Sequence, residues 1–425
     1  MPYPFPSEPA ASVPRQTANA RRILVAIEDL RTGGAQIFAM RLTQALHERG
    51  HQVYLYTHYA HHVNHELLRQ LAPDVQVVAY EPAVPGLDWL LRKTDGFLRR
   101  FQRPPLVREP FVERHLRRTL RELNVDVINS HMVKSDYVAA RALGPRPRLP
   151  LVITMHGCYE LFLHKHDEPE VTVKSRYALR QADAVIYLAE KNLEIFGEQD
   201  VRPLTSLVHE KVYSGLESSF SADKPRCTRE RLGIGAHDFV FGMVARGIPE
   251  KGWQQALDSF QQLSVEFPQA HLVLVGQSEY LDELRRQVSN PHVHFTGFSS
   301  NPVDWIDLFD VGLLPSYFHA ESLPNSVTEY LSCGKPTIAT RIGEVASMLE
   351  SPAGLAGMLL EAGLDWHRTD PGQLTRAMRA YLADAALLEE HRHRAQLAFD
   401  KFRMERCIAA YEQIFDRATA AAVRA

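Results

Sequence analysis

Cysteine is scarce in this sequence. The 425 residues hold four, Cys158, Cys227, Cys333 and Cys407, far apart and with no C-x-x-C spacing. A disulfide framework or a structural zinc site is therefore not expected, which suits a reducing compartment. Long apolar runs are also missing: no uninterrupted stretch reaches the roughly 18 residues that mark a membrane-spanning helix. Residues 1–20 carry Pro2, Pro4, Pro6, Pro9 and Pro14 but no apolar segment. They read as a disordered lead rather than a signal peptide, and the expected location is cytoplasmic. Charge of one sign is not in excess either. With 48 basic and 51 acidic residues the net charge is -3, and no nucleic-acid partner is implied.

Several chemical signatures are absent as well. No two aspartates stand two residues apart, so there is no D-x-D element to chelate a metal–diphosphate complex. There is no P-loop, no G-x-G-x-x-G, no clustered Cys/His set and no convincing Ser-His-Asp arrangement. The expectation is an activity with neither metal nor bound cofactor.

What is present is a double series of short β-rich runs alternating with helical patterns. The first series comprises Ile23–Ile27, Gln52–Tyr56, Val75–Ala79, Asp126–Ser130, Leu151–Met155 and Asp183–Leu188. The second comprises Phe239–Val244, Leu272–Val275, His292–Phe295, Val311–Leu314 and Thr337–Thr340. Most runs are continuously apolar, as parallel strands covered on both faces should be. Helices of 10–15 residues between them imply βαβ units with right-handed crossovers. The expected fold is α/β, with two Rossmann-like domains facing each other across a cleft. The first spans 21–215, rejoined by a final helix at about 403–420, and the second spans 216–402. The junction is expected near 215–235, where Gly, Ser, Pro and Lys cluster. Open parallel sheets bind ligands at the carboxyl ends of their strands, so chemistry should lie just after strands.

Four constellations do. The strongest is Glu321-Ser322-Leu323-Pro324-Asn325-Ser326-Val327-Thr328-Glu329, after the strand ending near Leu314. Pro324 suits the first turn of a helix, where its missing N–H would be unpaired anyway. Free N–H groups at that helix start can hold a diphosphate, with one carboxylate for a sugar and one for a ribose. A capped helix with two surface glutamates is the plainer alternative. Second, Arg246 and Lys251 stand five apart after the strand Phe239–Val244 and can clamp a diphosphate whose charge grows as a bond breaks. An ordinary basic loop would look the same. Third, Gly33-Gly34 opens a helix after the first strand and would admit close approach to backbone. A bare strand-to-helix turn explains the pair equally. Fourth, His131, with Lys134 nearby, and His156 follow strands. Either histidine can meet sugar hydroxyls or a leaving oxygen, though in a chain with 20 histidines each is more often structural.

Together, in this order, these motifs resemble glycosyltransferase family 4, retaining enzymes of the GT-B fold, over about residues 22–416. Glu321–Glu329 looks like that family's E-x7-E signature, with a frequent Leu-Pro-Asn filling at Leu323-Pro324-Asn325. Arg246 and Lys251 match its basic pair, and Gly33-Gly34 its amino-terminal glycine loop. Tyr213-Ser214-Gly215-Leu216-Glu217 stands where a P-N-G-V-D is usual, with Ser214 replacing Asn. The resemblance implies that Arg246 and Lys251 bind donor phosphates and Glu329 the ribose, while Glu321 and His156 meet the sugar. Ser322, Leu323, Asn325 and Ser326 would line the donor site, and Gly33 and Gly34 would border the phosphate and acceptor side. His131 and Lys134 are expected on the acceptor side. Ser322 departs from a common glycine and would narrow the sugar pocket. Tyr330 departs from a common alanine. The implied activity is transfer of a hexose from a UDP- or GDP-sugar to a glycan, lipid-linked or other glycoconjugate acceptor, with no protein nucleophile and no metal. A nucleotide-sugar epimerase or a phosphorylase on the same scaffold, or a non-catalytic sugar-nucleotide binder, are the rivals.

One further stretch stands out. Residues 87–122 carry ten basic against five acidic residues, interleaved with Trp89, Leu90, Leu91, Phe97, Leu98, Phe101 and Phe111. That mixture suits an amphipathic surface laid on anionic lipid, making the protein peripheral on a membrane. A solvated helical hairpin is the alternative.

Overall fold

The computed structural model describes residues 20–81, 86–100, 107–144, 149–157, 169–197, 201–217, 227–299, 301–361, 370 and 372–424. At 98–100, 169–170 and 423–424 it describes only the backbone. All but Ala20 of the expected lead, together with Cys158, Phe101, Arg103 and the Ser/Pro/Lys-containing 218–226, lies outside the described residues.

The chain falls into two compact units: Met1–Leu188 with Asn192–Val212 and Cys407–Ala425, and Ala189–Lys191 with Tyr213–Arg406. Both are α/β units of Rossmann type, the fold class read from the sequence.

Unit 1 holds seven strands, β1 (Arg22–Ile27), β2 (Gln52–Thr57), β3 (Gln76–Ala79), β4 (Val127–His131), β5 (Leu151–Met155), β6 (Ala184–Tyr187) and β7 (Val208–Lys211). Their order is β3-β2-β1-β4-β5-β6-β7, and the pairings are parallel. Unit 2 holds β8 (Phe239–Val244), β9 (Ala270–Val275), β10 (Val293–Gly297), β11 (Val311–Leu314), β12 (Thr337–Thr340), a short antiparallel pair β13 (Glu350–Ser351) and β14 (Gly354–Leu355), and β15 (Gly357–Leu360). Its main sheet runs β10-β9-β8-β11-β12-β15. The first six positions of both sheets follow the doubly wound order 3-2-1-4-5-6. Each therefore has a switch point beside its first strand: β1 against β4, and β8 against β11.

The central strands form because they are apolar on both faces. Residues 23–27 and 151–155 are fully buried along their length. The sequence missed two edge strands, β7 and β15. Val208-His209-Glu210-Lys211 is half-exposed throughout and carries three polar side chains, so it lacks the apolar run that betrays a buried strand. The final helix, Met404–Arg424, belongs to unit 1 from Cys407 onward. There Glu412 accepts from Arg49 at 3.0 Å and lies 3.1 Å from His51 Nε2, while the Tyr411 ring lies 6.1 Å from that of Phe38.

Two glycines make room for rings under the unit 2 sheet. A Cβ on Gly242 would fall 2.2 Å from Phe309, and one on Gly312 would fall 2.4 Å from Tyr330. That second clearance accounts for Tyr330. The ring lies fully buried beneath β11, its hydroxyl donating to Leu313 O at 3.2 Å and accepting from the Val244 amide at 2.7 Å.

Candidate active site

The unit 2 site is built at the switch point. After β8 the chain enters a loop in which Arg246 is fixed from below: the indole of buried Trp253 donates to its carbonyl at 2.9 Å. A single 3-10 turn, Pro249–Lys251, follows and ends at Gly252, whose φ of 87° is the left-handed region that favours glycine. This turn aims Lys251 inward. Its Nζ lies 2.5 Å from Glu321 Oε2, and both side chains are 8% exposed. Ser316 Oγ, after β11, sits 3.0 Å from the same carboxylate oxygen.

Phe318 completes the group. The cations of Arg246 and Lys251 each lie 5.2 Å from its ring centre, a distance at which the ring face attracts positive charge. Burial pulls the Lys251 ammonium below its ordinary range, the Glu321 carboxylate working against that and Arg246 with it. Two cations, one carboxylate, one hydroxyl and one aromatic face are thus gathered within one unit.

The main chain at Glu321-Ser322 is clamped from the loop after β12. The Glu344 amide donates to Ser322 O at 2.8 Å. Gly343, at φ 53°, has no room for a Cβ, which would stand 2.4 Å from Glu321 O. Ser322 is buried, and its Oγ has no hydrogen-bond partner among the described residues. Pro324 is not in the first turn, as expected, but just before it, with Asn325 opening the helix Asn325–Ser332. Its extended backbone (ψ 118°) provides the entry to that helix. Asn325 and Ser326 form the helix start, Leu323 packs against the apolar core beneath, and Glu329 is buried one turn further in.

Unit 1 presents its own group at the ends of β1, β4 and β5. His131 Nδ1 lies 2.7 Å from His156 Nε2, and His131 Nε2 lies 2.8 Å from Asn129 Oδ1. Phe38 packs against both rings at 6.1 and 5.7 Å. Burial holds His131 well below the usual histidine range and pushes His156 down to about 4. Met132, between β4 and the helix Val133–Leu143, has φ 73°, an uncommon conformation of a kind that collects at functional sites. Lys134 pairs with Glu28 at 2.6 Å. At Gly33 the backbone is extended (φ -167°), and the space a Cβ would need is taken by the Gln36 side chain at 2.3 Å. Gly33 therefore clears Gln36, whose amide reaches Asp29 Oδ1 at 3.2 Å. Gly34 is the first residue of its helix.

The sequence named Arg246, Lys251 and Glu321, and the fold brings them together. It missed Phe318, Ser316 and the Asn129–His131 contact. The available signal was position alone, since all three lie at or just beyond carboxyl ends of strands.

Comparison with known proteins divides the chain in the same way. Residues 32–204 match the model of Glycosyltransferase Family 4, and residues 238–384 match Glycosyl transferases group 1. Each unit thus carries its own match, and the chain is a family-4-like glycosyltransferase, a hexosyltransferase enzyme. Among curated proteins it is similar to N-acetyl-alpha-D-glucosaminyl L-malate synthase of Bacillus anthracis, 24% identical with 69% of this chain and 74% of that one covered. It is 26% identical to 2-deoxystreptamine glucosyltransferase of Streptomyces kanamyceticus, covering 66% and 74%. Among solved structures, Anabaena HepE in complex with UDP and glucose aligns with TM-score 0.70 at 20% identity over 92% of this chain and 98% of that one. Sucrose-phosphate synthase of Thermosynechococcus elongatus aligns with TM-score 0.68 at 18% identity over 94% and 100%.

Proposed function

We propose that this enzyme moves a hexose from a UDP- or GDP-sugar to a glycan, lipid-linked or other glycoconjugate acceptor, with retention at the anomeric carbon and without a metal ion. The observation that carries the reading is the Lys251–Glu321 pair at 2.5 Å with Arg246 beside it on the Phe318 ring. As the bond to the sugar breaks, negative charge grows on the departing diphosphate. Buried Lys251, the Arg246 guanidinium on the Phe318 ring and the amides at the start of helix Asn325–Ser332 suit that charge, the work a metal would otherwise do. An incoming diphosphate would share Lys251 with Glu321, leaving the carboxylate able to accept from sugar hydroxyls. The hydroxyl of the next residue, Ser322, which has no partner among the described residues, suits the same polar ligand. Glu329 would hold the ribose. In this scheme the acceptor attacks from the face the leaving group vacates, and a departing phosphate oxygen takes its proton. No protein nucleophile is assigned.

UDP is favoured as one donor base by the HepE complexes with UDP, UDP with glucose, and UDP-glucose. A lipid-linked acceptor is favoured by similarity to a diphospho-undecaprenol N-acetylgalactosaminyltransferase of Campylobacter jejuni, 26% identical over 53% of this chain.

The helix Leu87–Arg100 supports peripheral membrane attachment. Among the described residues no helix is long and apolar enough to cross a bilayer. This one turns its two acidic side chains toward the protein: Asp88 pairs with buried Arg108 at 2.6 Å, and Asp95 accepts from the Val107 amide at 3.0 Å. Leu91 is buried, whereas Trp89, Leu90 and Phe97, 58%, 55% and 61% exposed, face out beside exposed Arg92 and Lys93, and Lys93 lies 5.7 Å from the Trp89 ring. On the next helix, Glu109–Glu122, Phe111, Arg114 and Arg118 are exposed at adjoining turns. Apolar anchors flanked by cations fit an anionic lipid surface on the cytoplasmic side.

The test is incubation with UDP- and GDP-hexoses in the presence of chelator, followed by NMR of donor and product. Donor consumption with a product of unchanged anomeric configuration is expected. Epimerised donor without acceptor would mean an epimerase, an inverted product would end the retaining assignment, and binding without turnover would mean a sugar-nucleotide receptor.

A further inference from the structure

The carboxyl ends of β4 and β5 carry a chain of hydrogen bonds whose direction is fixed at one end. Asn129 Nδ2 lies 3.1 Å from the carbonyl oxygen of Val152 and 3.0 Å from Thr154 Oγ1. A backbone carbonyl only accepts, so this atom is the amide NH2 and the other terminal atom of Asn129 is the oxygen. That oxygen also only accepts. His131 Nε2, 2.8 Å from it, must therefore carry a proton.

His131 is fully buried and held neutral by that burial, so its Nδ1 is bare. The 2.7 Å contact to His156 Nε2 then has one possible sense: His156 donates. His156 is itself neutral near pH 7, burial having pushed it down to about 4. A neutral ring with its proton on Nε2 has a bare Nδ1.

We infer that Asn129 and His131 are positioning residues that lock His156 in its Nε2–H tautomer, making Nδ1 an acceptor for a ligand hydroxyl. The inference rests on the sugar-nucleotide reading above and narrows it. A phosphate oxygen without a proton has nothing to give to a bare ring nitrogen, whereas a sugar hydroxyl does. His156 is thereby assigned to recognition of a hydroxyl and withdrawn from the role of proton donor to the departing diphosphate. Phe38, packed against both rings, leaves the pair little freedom to turn.

The direct test is a two-bond nitrogen–proton correlation spectrum of the full chain with ¹⁵N-labelled histidine near neutral pH, the His156 signals assigned by their loss in His156→Gln. Both His131 and His156 should appear neutral with the proton on Nε2. A His156 proton on Nδ1, or a charged ring, overturns the relay. In His131→Phe the His156 signal should become a mixture of tautomers. Affinity for UDP-glucose should fall about tenfold, the size of one lost hydrogen bond, while affinity for UDP should not change. Equal loss of both ligands would make His131 a purely structural residue. If the wild-type chain shows the Nε2–H tautomer yet binds neither UDP-glucose nor GDP-mannose, the donor reading fails while the tautomer assignment stands.

Discussion

Lys251 Nζ and Glu321 Oε2 meet at 2.5 Å where the loops after β8 and β11 come together. Removing one member of a buried pair strands the other charge and costs about 3–5 kcal/mol, whereas replacing both with apolar side chains is often neutral. Lys251→Met and Glu321→Leu should each lower the melting temperature, and the double variant should recover most of it. Activity should behave differently. Each single variant and the double should lose roughly 10²–10³ in kcat, the scale of one lost charge-stabilising contact. Thermal melts and donor-turnover kinetics on the three proteins check this. A double variant that regained activity along with stability would show that the pair is structural.

The parts of this site that could be read from sequence are those whose chemistry travels with a residue type. Arg246, Lys251, Glu321 and Glu329 are charged residues at fixed spacings after apolar strands, and the two sheets follow from continuous apolar runs. Phe318 could not be singled out, because an aromatic ring in a loop says nothing about which cations it will face. The Asn129–His131–His156 chain joins two strands 25 residues apart, so only the register of β4 against β5 reveals it. Tyr330 looked like a departure from pattern until Gly312, 18 positions earlier, proved to be the space it fills.

The protein should lose stability in mild acid. His294 lies 3.0 Å from His271 Nδ1, and His271 in turn faces Asp238 at 3.3 Å, with His292 stacked on it at 4.5 Å. Burial, then the neighbouring imidazoles, push His294 from 6.5 down to about 4, and burial takes His58 down to about 3. A histidine whose folded pKa lies below its unfolded value binds more protons when unfolded, so stability rises with pH across that interval. It should be level above 6.5 and fall as pH drops toward 4, the window set by His156 and His294. Each such group contributes at most about 1.4 kcal/mol per pH unit. Melting temperatures across this range should show a shallower acid slope for His294→Asn. A slope unchanged in that variant would remove the unit 2 cluster from the explanation.

Membrane attachment through the helix Leu87–Arg100 predicts a specific pattern of vesicle binding. The chain should pellet with vesicles rich in anionic phospholipid at low salt, less so as salt screens the cations, and little with neutral vesicles. Trp89→Ser with Leu90→Ser should cut binding at least tenfold, since burying such side chains contributes about 1.5–3 kcal/mol each. Turnover of a water-soluble acceptor should not change, because neither residue touches the Lys251 site. Binding that ignores both salt and the double substitution would sink the proposal, as would a concentration-dependent dimer in which these side chains are covered by a second copy.

Gly252 tests whether placement of Lys251, rather than its charge alone, sets activity. Its φ of 87° lies in the left-handed region, and a Cβ would stand 2.2 Å from Pro315 O and 2.7 Å from Pro315 C. Both are backbone atoms, so the clash cannot be relieved by a side-chain rotation. Something must move: either the turn carrying Lys251 or the segment that leads through Ser316 to Glu321. Left-handed strain costs an alanine of order 1–3 kcal/mol, which shows as a lower melting temperature in any case. The informative quantity is the kinetic loss beyond that. Misplacement of about 1 Å can cost roughly 10²-fold in rate. Gly252→Ala should therefore lower kcat by about that factor in protein that is still fully folded at the assay temperature, although every charged group remains. A folded Gly252→Ala enzyme with wild-type kcat would mean that the cations need only be nearby, and the geometric account of this site would have to be abandoned.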